Sequence, residues 1–413
     1  MDTPPIKQNT RQIKLILSIE GISSLVNQFF QILLPWYILI STGSVMWMGV
    51  AAFATLVPGI FSALWGGAII DRVGRSKTML VCELSQLIII TAITILVVYG
   101  KAYPALISLL IFLSAFFDIP AQLARQALIP GFSRMAGIPL HRTTGLKEAI
   151  DGITAVFGPV LGGLVIAAYG TGYAWLAASV MCFVIVIMAV YVYNNRKIRK
   201  MPNETTYNQA WGCMKGDKFL LQVIAFTLPL FILGESWELL ILPAYVHTFN
   251  HTSVFLGFLE AAFGLGAFIG ALFFASAGKR FKFFTLLTVN YIAYTLSVVV
   301  LMFDLPKALV LITSGLSGLP FGAFGAMVTT ILLSRSQEEL RGKTLGLFAA
   351  GAALVESVFV LVLAFLLQTH GLFNTLLATT FVFLILIAVS LSSRKYEETP
   401  PITVQCLNIK IKS

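Results

Sequence analysis

Charge is scarce in this chain. Asp, Glu, Lys and Arg make up only 11% of its 413 residues, whereas a soluble domain carries about a quarter. Long polar stretches are missing too, the longest interruption of the apolar pattern being residues 194–218. Histidine and cysteine occur four times each. Cys82, Cys182, Cys213 and Cys406 show no ligand spacing and no extracellular pair, which excludes a disulfide framework and a zinc module. His247 and His251 are four apart, but they fall in a connection between apolar runs and are expected to be loop histidines, not metal ligands. No phosphate-cradling loop with a Lys-Ser/Thr ending is present, so ATP is not the expected energy source. No nucleophile–base arrangement points to an enzyme.

Apolar residues fill the chain instead: 58% are hydrophobic and the mean hydropathy is +0.89. A bilayer core of about 30 Å takes about 20 apolar residues per helix. Twelve stretches qualify, at 13–40, 46–70, 77–99, 103–129, 145–168, 172–193, 219–247, 253–277, 282–303, 307–333, 343–368 and 370–392. The expected fold is therefore an all-α membrane protein of twelve transmembrane helices. The polar run at 194–218 divides the spans six and six, giving an N-terminal bundle (1–193), a linker (194–218), a C-terminal bundle (219–392) and a tail (393–413).

The net charge of +10 and pI of 9.4 suit a nucleic-acid binder in size but not in distribution. With span 1 running outward, only Lys101 and Lys307 of the 28 Lys and Arg fall outside. That asymmetry places both termini in the cytoplasm, in a multi-pass N-in/C-in plasma-membrane protein. The basic balance then reports topology and lipid contact. The halves also echo each other. Leu34-Pro35-Trp36-Tyr37 recurs as Leu242-Pro243-Ala244-Tyr245, and Gly49 as Gly257, at an offset of 208. Gly74 has a counterpart in Gly278, at an offset of 204. Such repeats mark secondary transporters.

Two motifs carry a family resemblance. The connection after span 2 reads Gly67-x-x-x-Asp71-Arg72-x-Gly74-Arg75-Ser76-Lys77, and span 5 contains Gly158-Pro159-Val160-Leu161-Gly162-Gly163. The first resembles the loop 2–3 signature of the major facilitator superfamily, and the second its antiporter signature. Ala127-Leu128-Ile129-Pro130 and Arg341-Gly342-Lys343 are similar to the macrolide-efflux and siderophore-exporter branch. The resemblance implies alternating access driven by a proton gradient with no cofactor. It also implies a cytoplasmic gate at Gly67, Asp71, Arg72, Gly74, Arg75 and Lys77. There Asp71 faces the start of span 11 near Gly342–Thr344, and Arg75 braces an acid such as Asp118. One departure is that the arginine found early in span 4 of many drug–proton antiporters is missing; Arg125 lies near that span's other end.

A charged side chain at mid-bilayer costs about 2.5–3.5 kcal/mol on insertion scales, so it should face a cavity or a partner. Span 1 carries Glu20, Ser24, Asn27 and Gln31 on one helical face, and span 4 carries Ser114, Asp118, Gln122 and Arg125 in the same rhythm. Span 7 carries Thr227, Glu235 and Glu238. In the superfamily spans 1, 4, 7 and 10 line the central cavity, and span 10 here offers mainly Gly315 to Gly325 with Phe321 and Phe324. Glu356 in span 11 and Glu260 in span 8 flank that path, while Glu83 is expected to be peripheral and structural.

Burial disfavours the charged form of a carboxylate, so Glu235 and Glu356, with no base nearby in sequence, suit proton coupling. Asp118 suits either coupling or pairing with Arg125, and Glu20 and Glu238 either packing or recognition of cationic cargo. The helix 5 glycines suit close helix packing, and Pro159 removes a backbone donor and loosens the helix. The expected partners are protons, lipid and a small amphipathic cargo, cationic or zwitterionic, handled by a monomer and exported. The rivals on these residues are an importer of a small solute and a non-transporting membrane sensor.

Overall fold

The computed structural model describes residues 6–194, 207–277, 282–336 and 340–394, and the described elements are all helical. In the first half these are α1 (Ile6–Thr42), α2 (Val45–Val73), α3 (Arg75–Val98), α4 (Pro104–Met135), α5 (Leu140–Tyr169) and α6 (Thr171–Asn194). The second half contains α7 (Tyr207–Gly216), α8 (Lys218–Ser236), a π-helical turn (Trp237–Ile241) and α9 (Leu242–Thr248). It continues with α10 (Ser253–Ala277), α11 (Phe283–Leu301), α12 (Lys307–Arg335) and α13 (Arg341–Ser393). Among the described residues, eleven helical runs are long and apolar enough to cross a membrane, α8, the π turn and α9 forming one of them.

The last run, α13, is 53 residues long. At about 1.5 Å per residue a straight helix of that length is roughly 80 Å, far beyond a bilayer core of about 30 Å. The chain solves this at Gly371, whose φ of 74° and ψ of 175° break the run into two helices. Gly74, with φ 98°, performs the same reversal between α2 and α3, its amide still donating to the Ile70 carbonyl at 2.9 Å. Only glycine adopts such backbone without strain.

Apolar side chains stand exposed on the bundle's outside, Ile88, Val98, Phe183, Phe381 and Ile385 among them. Water would penalise such a surface and lipid does not. Within the first half α1 packs on α5 and α6, and α3 and α2 pack on α4. Within the second, α10 and α11 pack on α12, and α11 and α8 on α13. The most extensive contacts between these groups are α2 with α13 and α5 with α10, and α1 and α2 also touch the π turn.

Glycine makes the joints close. A Cβ on Gly257 of α10 would lie 2.5 Å from the Pro159 carbonyl oxygen, and one on Gly163 of α5 would lie 2.5 Å from that of Ser253. Ser253 returns the contact, its hydroxyl donating to the Gly163 carbonyl at 3.1 Å. Pro159 leaves the Ala155 carbonyl without its helical donor, and that oxygen faces Gly264. Gly158 and Gly162 accommodate α1 through Gln28, Phe29 and Ile32. The span 5 motif thus sits at an inter-helix seam, inside a helix that runs unbroken from Leu140 to Tyr169.

The stretch expected to be a plain linker contains a helix, α7. It is followed by Asp217, whose carboxylate accepts from the Phe219 and Leu220 amides at 3.0 and 3.1 Å and caps α8. Residues 195–206, the second-half counterpart of the loop motif at 278–281, Cys406 and the Asp71 side chain with its proposed gate contact lie outside the described residues.

Candidate functional site

A cavity of about 480 Å³ opens among α1, α2, α3, α4, α6 and α8. Its polar wall is built from stripes at helical spacing: Asn27 and Gln31 on α1, and Ser114, Asp118 and Gln122 on α4. Glu235 from α8 supplies a second carboxylate to the lining. Gln86 on α3 and Thr55 on α2 add two polar groups that the sequence pattern does not single out. Phe30, Trp175 and isoleucines of α3 and α4 make the apolar wall. Phe30 and Trp175 stack obliquely at 5.4 Å, and Tyr37 meets Trp175 edge-on at 6.1 Å. The lining thus contains two carboxylates and four amide side chains, with no Lys, Arg or His.

Asp118 is not held by Arg125 or Arg75. Its two oxygens accept from the Asn27 amide at 3.3 Å and the Gln86 amide at 3.2 Å. These neutral donors fix the carboxylate's orientation without an ion pair. Arg75 instead donates to the Ala127 carbonyl at 2.9 Å, so the expectation that it braces Asp118 is corrected.

Arg125, 2% exposed, ties three helices together. Its Nε donates to Glu20 at 2.8 Å and its Nη1 to Glu83. Glu83 is therefore a buried ion-pair partner, not a peripheral residue, and Glu20 is neutralised away from the cavity lining. Arginine suits this position because its planar fork reaches two carboxylates at once. Ser24 likewise turns aside and bonds Thr154 of α5 at 2.7 Å.

The acids of the second half differ in kind. Among the described residues Glu235, Glu238, Glu260 and Glu356 have neither a hydrogen bond nor an ion pair. Glu235 reaches the cavity. Glu238, three residues on, lies in the π turn and is absent from that lining. A π turn adds a residue per turn and rotates the succeeding residues around the helix axis; such turns concentrate at functional sites. Glu260 and Glu356, 5% and 7% exposed, are absent from the lining as well.

The span 10 expectation needs correction. Gly318 and Gly322 of α12 press on the backbone of α10, as do Gly266 and Gly270 of α10 on α12. Phe324 is buried against Phe283 at 5.4 Å, and Phe321 packs on Phe231 and Phe263. Small residues there serve the α10–α12 contact. His251, meanwhile, stands 3.5 Å from Asp304, and no cluster among the described residues is arranged for a metal ion.

Apolar helices enclosing a cavity of amides and carboxylates define a multi-pass membrane transporter. The Major Facilitator Superfamily model matches residues 16–303, and the chain belongs to that family. It is 24% identical over 364 residues to the multidrug efflux pump Tap of Mycolicibacterium fortuitum, covering 85% of this chain and 88% of that one. The Tap pump of Mycobacterium tuberculosis H37Rv is 26% identical over 363 residues, covering 83% and 84%. The staphyloferrin A transporter of Staphylococcus aureus is 26% identical over 184 residues, covering 44% and 45%. Among solved structures, the nucleoside transporter NupG superimposes with a TM-score of 0.76 at 12% identity, covering 93% of this chain and 99% of that one. A bacterial homologue of the lysosomal transporter Spinster gives 0.71 at 12% identity, covering 97% and 100%. These two show the fold. The family and the curated relatives are transporters, not enzymes.

Proposed function

We propose that this chain is a secondary exporter of amphipathic cationic or zwitterionic compounds, driven by inward proton movement through alternating access. One observation carries the reading: the cavity places two carboxylates, Asp118 and Glu235, among amides and aromatic rings with no basic side chain in its lining. A cargo amine suits that field, the amides offer it hydrogen bonds, and Phe30 and Trp175 offer it apolar contact. Glu235 makes no internal bond, so it can exchange a proton for a cargo cation; the charge of Asp118 stays available under its amide clasp.

The supports are of different kinds. The Tap relatives are named as multidrug efflux pumps. The break at Gly371 supports counting α13 as two spans, twelve in all, in two bundles of six. The distribution of Lys and Arg supports both termini inside the cell. Exchange of the α2–α13 and α5–α10 seams would open the cavity to each side in turn, and their glycine-lined surfaces suit sliding.

A siderophore cargo is the second reading, favoured by the similarity to the staphyloferrin A transporter. A cargo of net negative charge would meet two carboxylates in this cavity, so the cationic reading ranks first. The test uses everted vesicles energised with a proton gradient and a fluorescent cationic dye. Wild type accumulates the dye, and Glu235→Gln folds but loses gradient-driven accumulation. Accumulation equal to wild type in Glu235→Gln removes Glu235 from the mechanism.

A further inference from the structure

Every described acid of the first half's membrane interior has a partner. Arg125 holds Glu20 and Glu83, two amides hold Asp118, and Lys147 holds Asp151 at 2.7 Å. The second half obeys the opposite rule, and its extreme case is Glu260. Both Glu260 carboxylate oxygens are sealed from solvent and have no hydrogen-bond partner, and the residue is 5% exposed.

Two donors linked to its helix through ring contacts are orphaned in a complementary way. The Trp237 indole N–H and the Tyr294 hydroxyl are fully buried with no partner. Their rings meet edge-on at 5.9 Å. Phe263, one turn from Glu260 on α10, lies 6.2 Å from the Tyr294 ring. A chain of ring contacts thus runs from Phe263, one turn from Glu260, through Tyr294 to Trp237, which adjoins Glu238 in the π turn, with Glu235 on the cavity wall. Orphaned donors beside orphaned acceptors are rare in a folded interior. A buried carboxylate with neither bond nor counter-charge is one that something else must neutralise.

Among the described residues, nearby elements bring no counter-charge to Glu260. On α5, Lys147 is committed to Asp151. On α12, Lys307 lies over the Phe255 ring at the helix start, and Arg335 at its end pairs with Asp217. On α1, Glu20 belongs to Arg125. Beyond α9, His251 faces Asp304.

We propose that Glu260 and Glu238, with the Tyr294 hydroxyl, form a second proton-binding site behind the cavity wall, filled from Glu235 and never touched by cargo. Glu235 exchanges with the cargo, and Glu260 holds a proton across the conformational change. The proton, not a metal ion, suits the site because no group of described acids is arranged around a metal position. The site rests on proton-driven export and adds a second titrating position to it.

The experiment uses the purified full-length protein. Trp237 adjoins Glu238 in sequence and meets Tyr294, so its emission reports the site, and Trp237→Phe identifies its share of the signal. Across a pH titration the wild type shows a transition in the Trp237 signal. In Glu260→Gln that transition disappears or moves by about one pH unit or more, a tenfold change in proton affinity. Glu260→Asp restores a transition, and Tyr294→Phe shifts its midpoint. In proteoliposomes Glu260→Gln moves one proton fewer per cargo molecule than wild type. A wild-type titration in Glu260→Gln and in Tyr294→Phe, or an unchanged proton-to-cargo ratio, overturns the site. A signal that tracks Na⁺ at fixed pH and ignores pH overturns the proton assignment. Wild-type export that is indifferent to a proton gradient, with the Trp237 transition intact, refutes proton-driven export and leaves the proton-binding site standing.

Discussion

Removing Arg125 is the sharpest test of how the first half is built. Arg125→Gln leaves Glu20 and Glu83 facing each other, both almost fully buried. Loss of one partner from a buried ion pair costs about 3–5 kcal/mol. An independent route gives a similar figure. Neutralising one stranded carboxylate of ordinary pKa at pH 7 spans about 2.7 units at about 1.4 kcal/mol each, roughly 4 kcal/mol. If the first half melts as a unit, that is a drop on the order of 10 °C in melting midpoint. The assay is thermal melting of the detergent-solubilised protein, followed by size exclusion. Two further arms separate charge from packing. Lowering the pH supplies the missing protons, so the gap between Arg125→Gln and wild type must narrow as pH falls. Combining Arg125→Met with Glu20→Gln and Glu83→Gln removes all the charges together, which is often close to neutral for stability, so the triple variant must recover most of the loss. A wild-type midpoint in Arg125→Gln at neutral pH, or a triple variant no better than the single one, refutes the reasoning.

Single contacts supply further tests. Arg125→Lys should fall well short of wild type in the same melt, because one ammonium lacks the fork that serves both acids. Gly257→Ala pushes a methyl to 2.5 Å from the Pro159 carbonyl oxygen. It should cost about 1–3 kcal/mol by overpacking and slow export, read by melting and vesicle uptake. Gly371→Ala meets no atom within 4 Å but must adopt φ 74°, so it should cost about 1–2 kcal/mol. Gly351→Ala, equally open and helical, should be neutral or stabilising by up to about 1 kcal/mol. Asp217→Ala removes the cap of α8 and the partner of Arg335 at 2.7 Å, and should lower the midpoint by the equivalent of about 1 kcal/mol.

Much of the architecture was legible because lipid imposes one rule along the whole chain: apolar runs of fixed length separated by charge. The cavity was legible where that rule is broken periodically. Asn27 and Gln31, Asp118 and Gln122 recur at helical spacing, and each is too polar to face lipid. Gln86, Thr55 and Trp175 escaped because each stands alone on its helix, with no stripe to distinguish a wall residue from a packed one. The pairings were out of reach for another reason. Arg125 lies seven residues from Asp118 in the chain, yet it bonds Glu20 and Glu83 on other helices. Only the packing of α1, α3 and α4 decides which acid it meets. The π turn was equally hidden, since Trp237–Ile241 has no distinguishing composition. It changes the reading most, because it separates Glu235 on the cavity wall from Glu238 behind it. In span 10 the glycines read as cavity lining, and the close approach of α10 makes them a seam instead.

The mechanism stands on cargo leaving as protons enter. The most direct measurement is the simultaneous recording of proton and cargo flux in proteoliposomes of the purified wild-type protein, with no gradient other than that of the cargo. Antiport requires that a cationic dye moving down its gradient drives protons the opposite way in a fixed ratio, and that a protonophore abolishes the resulting pH change. Dye movement without proton movement, or protons moving in the same direction as the dye, contradicts it.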